Sequence, residues 1–311
     1  MTTTTVTGPT PTTASTSGSG RAGRLGRSAR TGRAGRNRIS WPSTIILIIG
    51  AMYCLLPVAW VLMASSKSAA ELFSTFTFAP STYLVDNVAD LSAYRDGIFW
   101  RWMLNTALYA GVGALLSAIV SAMAGYGLAK YQFAGKKLVF NVLLAGVLVP
   151  AVVLAIPQYL LFAQAGLTNT YWSVLLPSII SPYGIYLARI YAAASVPDDV
   201  IEAARTDGAQ ELRIFRSIAM PMMLPGLVTV FLFQFVGIWN NYMLPYIMLG
   251  NDRLFPLTVG LSGLLNQGAS QPAMYTSVIT GALLSIIPLI ALFLTLQRYW
   301  QVDLAAGAVK A

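Results

Sequence analysis

Between Arg189 and Arg216 the chain places five acidic and four basic residues, in a sequence that is 56% hydrophobic, 10% charged and free of histidine. The centre of that segment reads IEAARTDGAQELRIFRSIAMPMMLP (201–225). Carboxylates and guanidinium groups among small side chains suit a polar contact with another surface, not the breaking of bonds. The one cysteine, Cys54, stands alone, which rules out an intrachain disulfide or a cysteine–metal cluster. No catalytic residue and no metal ligand can be nominated. A second polar group is uncharged: Asn105, Gln158, Gln234, Trp239, Asn240, Asn241 and Tyr242 lie at or within long apolar runs. Singly, such amides tie helices together at about 0.6 kcal/mol each, and Trp and Tyr sit in interfacial belts. As a set, the WNN cluster reads as a gate or pathway.

The elements that carry these residues follow from charge-free runs. Asp, Glu, Lys and Arg are absent from 39–66, 102–129, 138–188, 217–251 and 254–297. A membrane-spanning helix needs roughly 20 apolar residues, and the run 138–188 breaks at AGLTNT (165–170) into two. Six spans are predicted, at about 43–65, 102–126, 138–162, 171–192, 221–244 and 273–296. Pro150 and Pro157 are expected to bend the third. In lipid only helices or closed barrels satisfy the backbone, and continuous apolar runs exclude a barrel. The fold class is an all-α polytopic membrane protein. Its parts are a tail at 1–42, a six-helix domain at 43–297 and a C-terminal tail at 298–311.

Even span number puts both termini on one side, and the distribution of Lys and Arg fixes which. Of 20 cations, 16 fall in the N-terminal tail, the 130–137 loop, the 189–216 loop and the C-terminus. The positive-inside rule makes these cytoplasmic. The tail holds seven Arg and no acid, so the remainder carries 13 cations against 11 acids; the basic excess belongs to the tail and does not indicate nucleic acid. A Gly-rich sequence with no amphipathic face reads as disorder, with contact to anionic lipid or a transit peptide as alternatives.

Within 195–225 a short helix is expected, started by a capping box of Ser195 and Asp198 with Pro197 in the first turn. Asp198, Asp199 and Glu202 favour its positive end. Val200, Ala203 and Ala204 give a small apolar face, Gly208 after Asp207 stops it, and a second helix over about 209–219 meets Pro221. From these signals alone, a partner-binding helix and an ordinary amphipathic connector are equally good readings.

The segment EAARTDGAQELRIFRSIAMPMMLP resembles the EAA loop of the membrane subunits of bacterial ATP-binding-cassette importers. Glu202, Ala203, Ala204, Asp207, Gly208, Ala209, Phe215, Ile218, Pro221 and Pro225 fall on its pattern. RWMLNT (101–106), GYGLAKYQFAGK (125–136), LTNTYW (167–172), WNNYMLP (239–245) and QRYWQVDLAAGAVKA (297–311) are similar to the carbohydrate-uptake branch, and within it to the second, six-helix permease of maltose-type importers. The AGAVKA ending departs from that group's Gly-terminated tail, and the long N-terminal tail lies outside the pattern.

The resemblance implies a type I importer permease whose first loop helix docks on a cytoplasmic ATPase. Glu202 would anchor it, Ala203 and Ala204 would permit close approach, and Gly208 would make the turn, with Asp207 and Ala209 completing the motif. Partners would be a second permease subunit, two ATPase subunits, an extracytoplasmic sugar-binding protein and membrane lipid. The tail from about Asp303 to Ala311 would reach toward the ATPase. ATP and Mg would sit on the partner, with no cofactor on this chain. In agreement, no G-x-x-x-x-G-K-[ST] occurs: Gly135-Lys136 has Lys130 where the upstream glycine would be. A sugar path needs hydrogen-bonding and aromatic side chains without strong charge, which the seven uncharged residues supply. The alternatives are a polyol or glycerol-phosphate permease, which would want basic residues near the path, and a secondary transporter or channel. The absence of buried carboxylates or His weighs against the latter.

Overall fold

The structure, a computed structural model, describes residues 41–308 apart from Ala269, with backbone only at 300–308. Residues 1–40 of the tail predicted at 1–42, the residues 309–311 and the Asp303 side chain lie outside the described part; Trp41 and Pro42 belong to the first helix. The chain divides into two compact units, 1–50 and 51–311. Only 41–50 of the first are described, as helix; everything that follows lies in the second.

Fourteen helices run in order: α1 Trp41–Ser65, α2 Ala69–Ser74, α3 Leu84–Ala93, α4 Ile98–Lys130, α5 Lys136–Leu148, α6 Ala151–Gln164, α7 Tyr171–Ile179, α8 Pro182–Ser195, α9 Asp198–Thr206, α10 Glu211–Ile214, α11 Met220–Trp239, α12 Met243–Met248, α13 Leu257–Gly268 and α14 Ala273–Ala308. Among the described residues five helices are long and apolar enough to cross a membrane, or six when the bent pair α5–α6 is counted as one span. Each of the six stretches expected to span is helical, the third only as the bent pair.

Their details differ from expectation where proline acts. The third span breaks at Val149–Pro150, where α5 and α6 meet at 105°. Pro157, by contrast, lies inside α6 without a break. The fourth pauses at Ile180–Ser181, and α8 restarts with Pro182 in its first turn, where the Ser181 hydroxyl accepts from the Gly184 N–H at 3.0 Å. Proline's missing N–H costs nothing there. The sixth span does not end near 296. The helix continues beyond the apolar stretch to Ala308, with no proline in 297–308 to break it.

The core is a close three-helix packing of α4, α8 and α11. Buried Ser117, Ser121 and Gly125 recur every four residues on α4 and face buried Gly184, Ala188 and Ala192 on α8. A Cβ on Gly125 would lie 2.6 Å from the Arg189 backbone nitrogen, and one on Gly184 2.6 Å from the Ser121 oxygen. With lipid as the alternative solvent, helices gain from such close backbone approach and not from burial of apolar area. The outer surfaces are accordingly greasy: Leu56, Val142, Leu148, Ile156 and Leu161 are all exposed. At about 1.5 Å per residue the 33 residues of α4 span about 50 Å, so it projects beyond a hydrocarbon layer roughly 30 Å thick. Its two ends carry the features that matter for function.

Candidate functional site

At one end of α4, α9 to α11 pack against α4 and α8. Tyr126, Val196, Ile201, Ala204, Ile214, Ala219 and Met223 form a buried cluster with Ala122, Ala188 and Ala192. Around it run polar ties. Lys130 Nζ donates to Asp198 Oδ1 at 2.7 Å, Arg205 Nε to Glu211 Oε1 at 2.6 Å, and the Tyr131 hydroxyl to Glu211 Oε2 at 2.7 Å. Burial and then the Glu211 carboxylate push the Tyr131 hydroxyl above its ordinary range, so it remains a donor. The Tyr126 ring meets Tyr131 edge-on at 5.7 Å and lies 5.3 Å from Phe215. Segments 125–136 and 201–225, far apart in sequence, are one joint.

Within that joint α9 starts later than expected. Ser195 is the last residue of α8, and Pro197 is the N-cap of α9 with no side-chain capping bond. The residue before a proline avoids helical geometry, so Val196 takes φ −112° and ψ 101°, and the break falls there. The predicted capping box is corrected: Asp198 pairs with Lys130 instead.

The other end of α9 follows the sequence closely. Gly208 has φ +80°, which an L side chain rarely adopts. Its N–H bonds the Arg205 carbonyl at 2.9 Å, and the Ala209 N–H bonds the Ala204 carbonyl at 3.0 Å. These are the two bonds of a Schellman cap. Ala209 then tucks against the buried cluster that contains Ala204. D-G-A is thus a stop signal whose third residue pins the turn to the core.

The small apolar face divides. Ile201 and Ala204 turn inward, at 3% and 8% exposure, whereas Glu202, Ala203 and Val200 face out. Asp207 is exposed as the C-cap. The side chains of Asp199, Glu202 and Asp207 make no hydrogen bond or ion pair among the described residues. The expected second helix over 209–219 is instead α10 followed by a π-helical turn, Phe215–Ala219, that runs directly into α11. The Met220 N–H reaches the Phe215 carbonyl five residues back. Pro221 has no N–H to continue a normal ladder, and the widened turn carries the chain past it. π turns are frequent at functional sites.

Of the seven uncharged candidates, three come together. Gln158 of α6, Gln234 of α11 and Asn241 line one cavity of about 330 Å³ between α6, the α7–α8 break and α11–α12. Gln234 Nε2 donates to the Ser181 hydroxyl at 2.6 Å. Gln158 makes no side-chain hydrogen bond among the described residues. Ser178 and Ser181 also line it and were missed by sequence reasoning; a serine just before Pro182 signalled a cap, not a lining. No charged residue lines this cavity.

The other four lie elsewhere. Asn105 is 4% exposed: its Nδ2 donates to the carbonyls of Arg253 and Phe255 at 2.9 and 3.0 Å, and its Oδ1 accepts from the Tyr171 hydroxyl at 3.1 Å. Trp239 is buried and stacks on Phe235 at 5.4 Å. Asn240 caps α11 and bonds the Val236 carbonyl through its side chain at 2.8 Å. Tyr242 stacks on Tyr246 at 5.1 Å.

The helical bundle thus carries a loop packed on one end and, apart from it, a half-open cavity lined by amides, hydroxyls and apolar side chains. Residues 113–301 match the family of binding-protein-dependent transport system inner membrane components. The chain is 33% identical over 275 residues to an arabinooligosaccharides transport system permease protein of Halalkalibacterium halodurans, covering 88% of this chain and 97% of that one. It is 31% identical to a lactose transport system permease protein of Rhizobium radiobacter, over 85% and 94% of the two chains. The fold matches, at a TM-score of 0.71 and 24% identity, a chain of the crystal structure of a bacterial ABC transporter involved in the import of the acidic polysaccharide alginate, covering 83% and 95%. The chain belongs to this family of multi-pass inner-membrane permease subunits of ABC importers, which are not themselves catalytic and work with a substrate-binding protein.

Proposed function

We propose that this permease moves a neutral di- or oligosaccharide inward by alternating access, driven through α9 by ATP hydrolysis on partner subunits. Both termini are cytoplasmic. The assembly comprises a second permease subunit, two ATPase subunits that bind ATP and Mg, and an extracytoplasmic sugar-binding protein. The observation that carries this reading is the asymmetry of α9. Its inner face is packed and ion-paired to the end of α4, while its outer face presents Asp199, Glu202, Ala203 and Asp207 without partners among the described residues. A helix fastened on one side and bare on the other transmits a push. Ala203 allows an ATPase surface to approach closely, Glu202 supplies the polar anchor, and Ala204 and Ala209 hold the helix to the bundle. The push passes through the π turn into α11, which carries Gln234 into the cavity.

For the substrate, a cavity with amides and hydroxyls on apolar walls offers hydrogen bonds without charge, as neutral sugars require. A phosphorylated polyol would want a cation there. Gln158, Gln234 and Asn241 are the pathway contacts; Asn105 and Trp239 shape the bundle, and Asn240 and Tyr242 mark the end of α11. Glu202→Lys with Gly208→Asp should abolish uptake in the intact complex while the protein stays in the membrane. A normal transport rate in that double variant would overturn the coupling role. Calorimetry on the cognate binding protein then identifies the sugar.

A further inference from the structure

A second cavity, of about 480 Å³, opens between the start of α5, the end of α4 and Arg189 in the middle of α8, beside the joint but apart from the Gln158 cavity. Its lining includes Lys136, Lys137, Arg189 and Gln132 with the rings of Phe133 and Phe140, and no acidic side chain. Three cations converge here although the nearest acids of the joint are engaged elsewhere: Asp198 with Lys130, Glu211 with Arg205 and Tyr131. Arg189 is held with its guanidinium 3.9 Å above the Phe140 ring, which fixes its plane and leaves its N–H fork available. Lys136 uses one donor on the Tyr131 carbonyl at 2.8 Å and keeps two. Lys137 makes no hydrogen bond or ion pair among the described residues.

Such a cluster is costly unless an anion completes it, since like charges gathered on a membrane protein repel. We propose that the cavity binds the phosphate of an acidic phospholipid in the cytoplasmic leaflet, with Lys136, Lys137 and Arg189 as its ligands. Two observations favour lipid over a soluble phosphate. The cavity sits at the charged start of α5, the first half of the bent apolar pair α5–α6, and the side chains that follow along α5 (Leu138, Val139 and Val142) are exposed and apolar, a surface for acyl chains. Basic pockets between membrane helices on the cytoplasmic side hold anionic headgroups in this way. The lipid would bridge the start of the bent third span and the middle of α8, beside the joint, without touching the coupling face. The placement rests on the cytoplasmic orientation proposed above; binding itself does not depend on transport.

The test is native mass spectrometry of the full chain purified in detergent, titrated with phosphatidylglycerol or phosphatidylcholine. The wild type should retain phosphatidylglycerol preferentially. Lys137→Gln should lower that affinity by about fivefold, the effect of one cation near an anionic surface, and adding Lys136→Gln and Arg189→Gln should remove the preference. Lys136→Arg with Lys137→Arg should keep it. Because Lys137 makes no bond, its single variant reads binding without threatening the fold. Equal retention of both lipids by the wild type, or an unchanged preference in the triple variant, would overturn the proposal. Displacement of the lipid by inorganic phosphate at equal concentration would assign the cavity to a soluble phosphate and overturn it as well.

Discussion

The two ends of α4 hold distant parts of the chain by different means. At the end that begins with Ile98, buried uncharged side chains grip the segment 252–257, with the Arg95–Asp252 ion pair and Arg101 Nε on the Arg253 carbonyl at its exposed rim. Asn105 binds two carbonyls, Trp102 Nε1 donates to the Asp252 carbonyl at 2.8 Å, the Tyr109 hydroxyl to the Leu254 carbonyl at 3.0 Å, and Thr106 Oγ1 accepts from the Leu257 N–H at 2.7 Å. At the Lys130 end a buried apolar cluster is ringed by ion pairs that reach the surface: Asp198 is 76% exposed against 8% for its partner Lys130, and Arg205 and Glu211 are about half exposed. Buried bonds to backbone groups are expensive to leave unmade. Exposed ion pairs contribute about 0–1 kcal/mol. The polar ties of the first end are therefore costlier to break than those around the buried cluster of the second. That contrast suits the coupling role proposed for α9, in which the loop moves with a partner while the far end of α4 keeps its shape.

Several substitutions should break or sharpen this contrast. The largest effect belongs to the helix packing between the ends. Gly125→Val would drive its side chain into the Ala188–Arg189 backbone, which cannot yield like a flexible side chain. Overpacking of this kind costs about 1–3 kcal/mol or more, so little folded protein should be recovered on size-exclusion chromatography in detergent. Asn105→Ala comes next. It removes the side-chain donor to the Phe255 carbonyl, one of two donors to the Arg253 carbonyl, and the acceptor of the Tyr171 hydroxyl, at about 1–3 kcal/mol, and should lower the thermal inactivation midpoint clearly. The smallest effect is expected from Arg205→Gln with Glu211→Gln, within about 1 kcal/mol for an ion pair about half exposed on both sides. If this pair destabilised the protein as much as Asn105→Ala, the polar ties of the two ends would not differ in cost.

Much of this was legible before the structure. Charge-free runs gave the six spans because lipid admits few ionised groups, and D-G-A announced its own turn because only glycine adopts φ +80° there without strain. What was not legible depends on partners remote in sequence. Asn105 looked like any intramembrane amide until 253 and 255 came within reach, and Trp239 could not be told from a lining aromatic until Phe235 stacked on it. Ala203 and Ala204 are neighbours of the same size; only the packing of Ile201 decides which faces out. Ser195 misled because Pro197 moved the helix start past it. Pro150 and Pro157 look alike on paper, yet only the first falls where the chain has room to turn.

The claim that α9 is held on one face and offered on the other is tested most directly by cross-linking. In a Cys54→Ser background, cysteine at Ala203 and at Ala204 would be oxidised in the assembled transporter, with a cysteine scan of the ATPase surface as partner. Adduct formation from Ala203→Cys and none from Ala204→Cys is the predicted result. Equal cross-linking from both positions, or from Ala204→Cys alone, would contradict it.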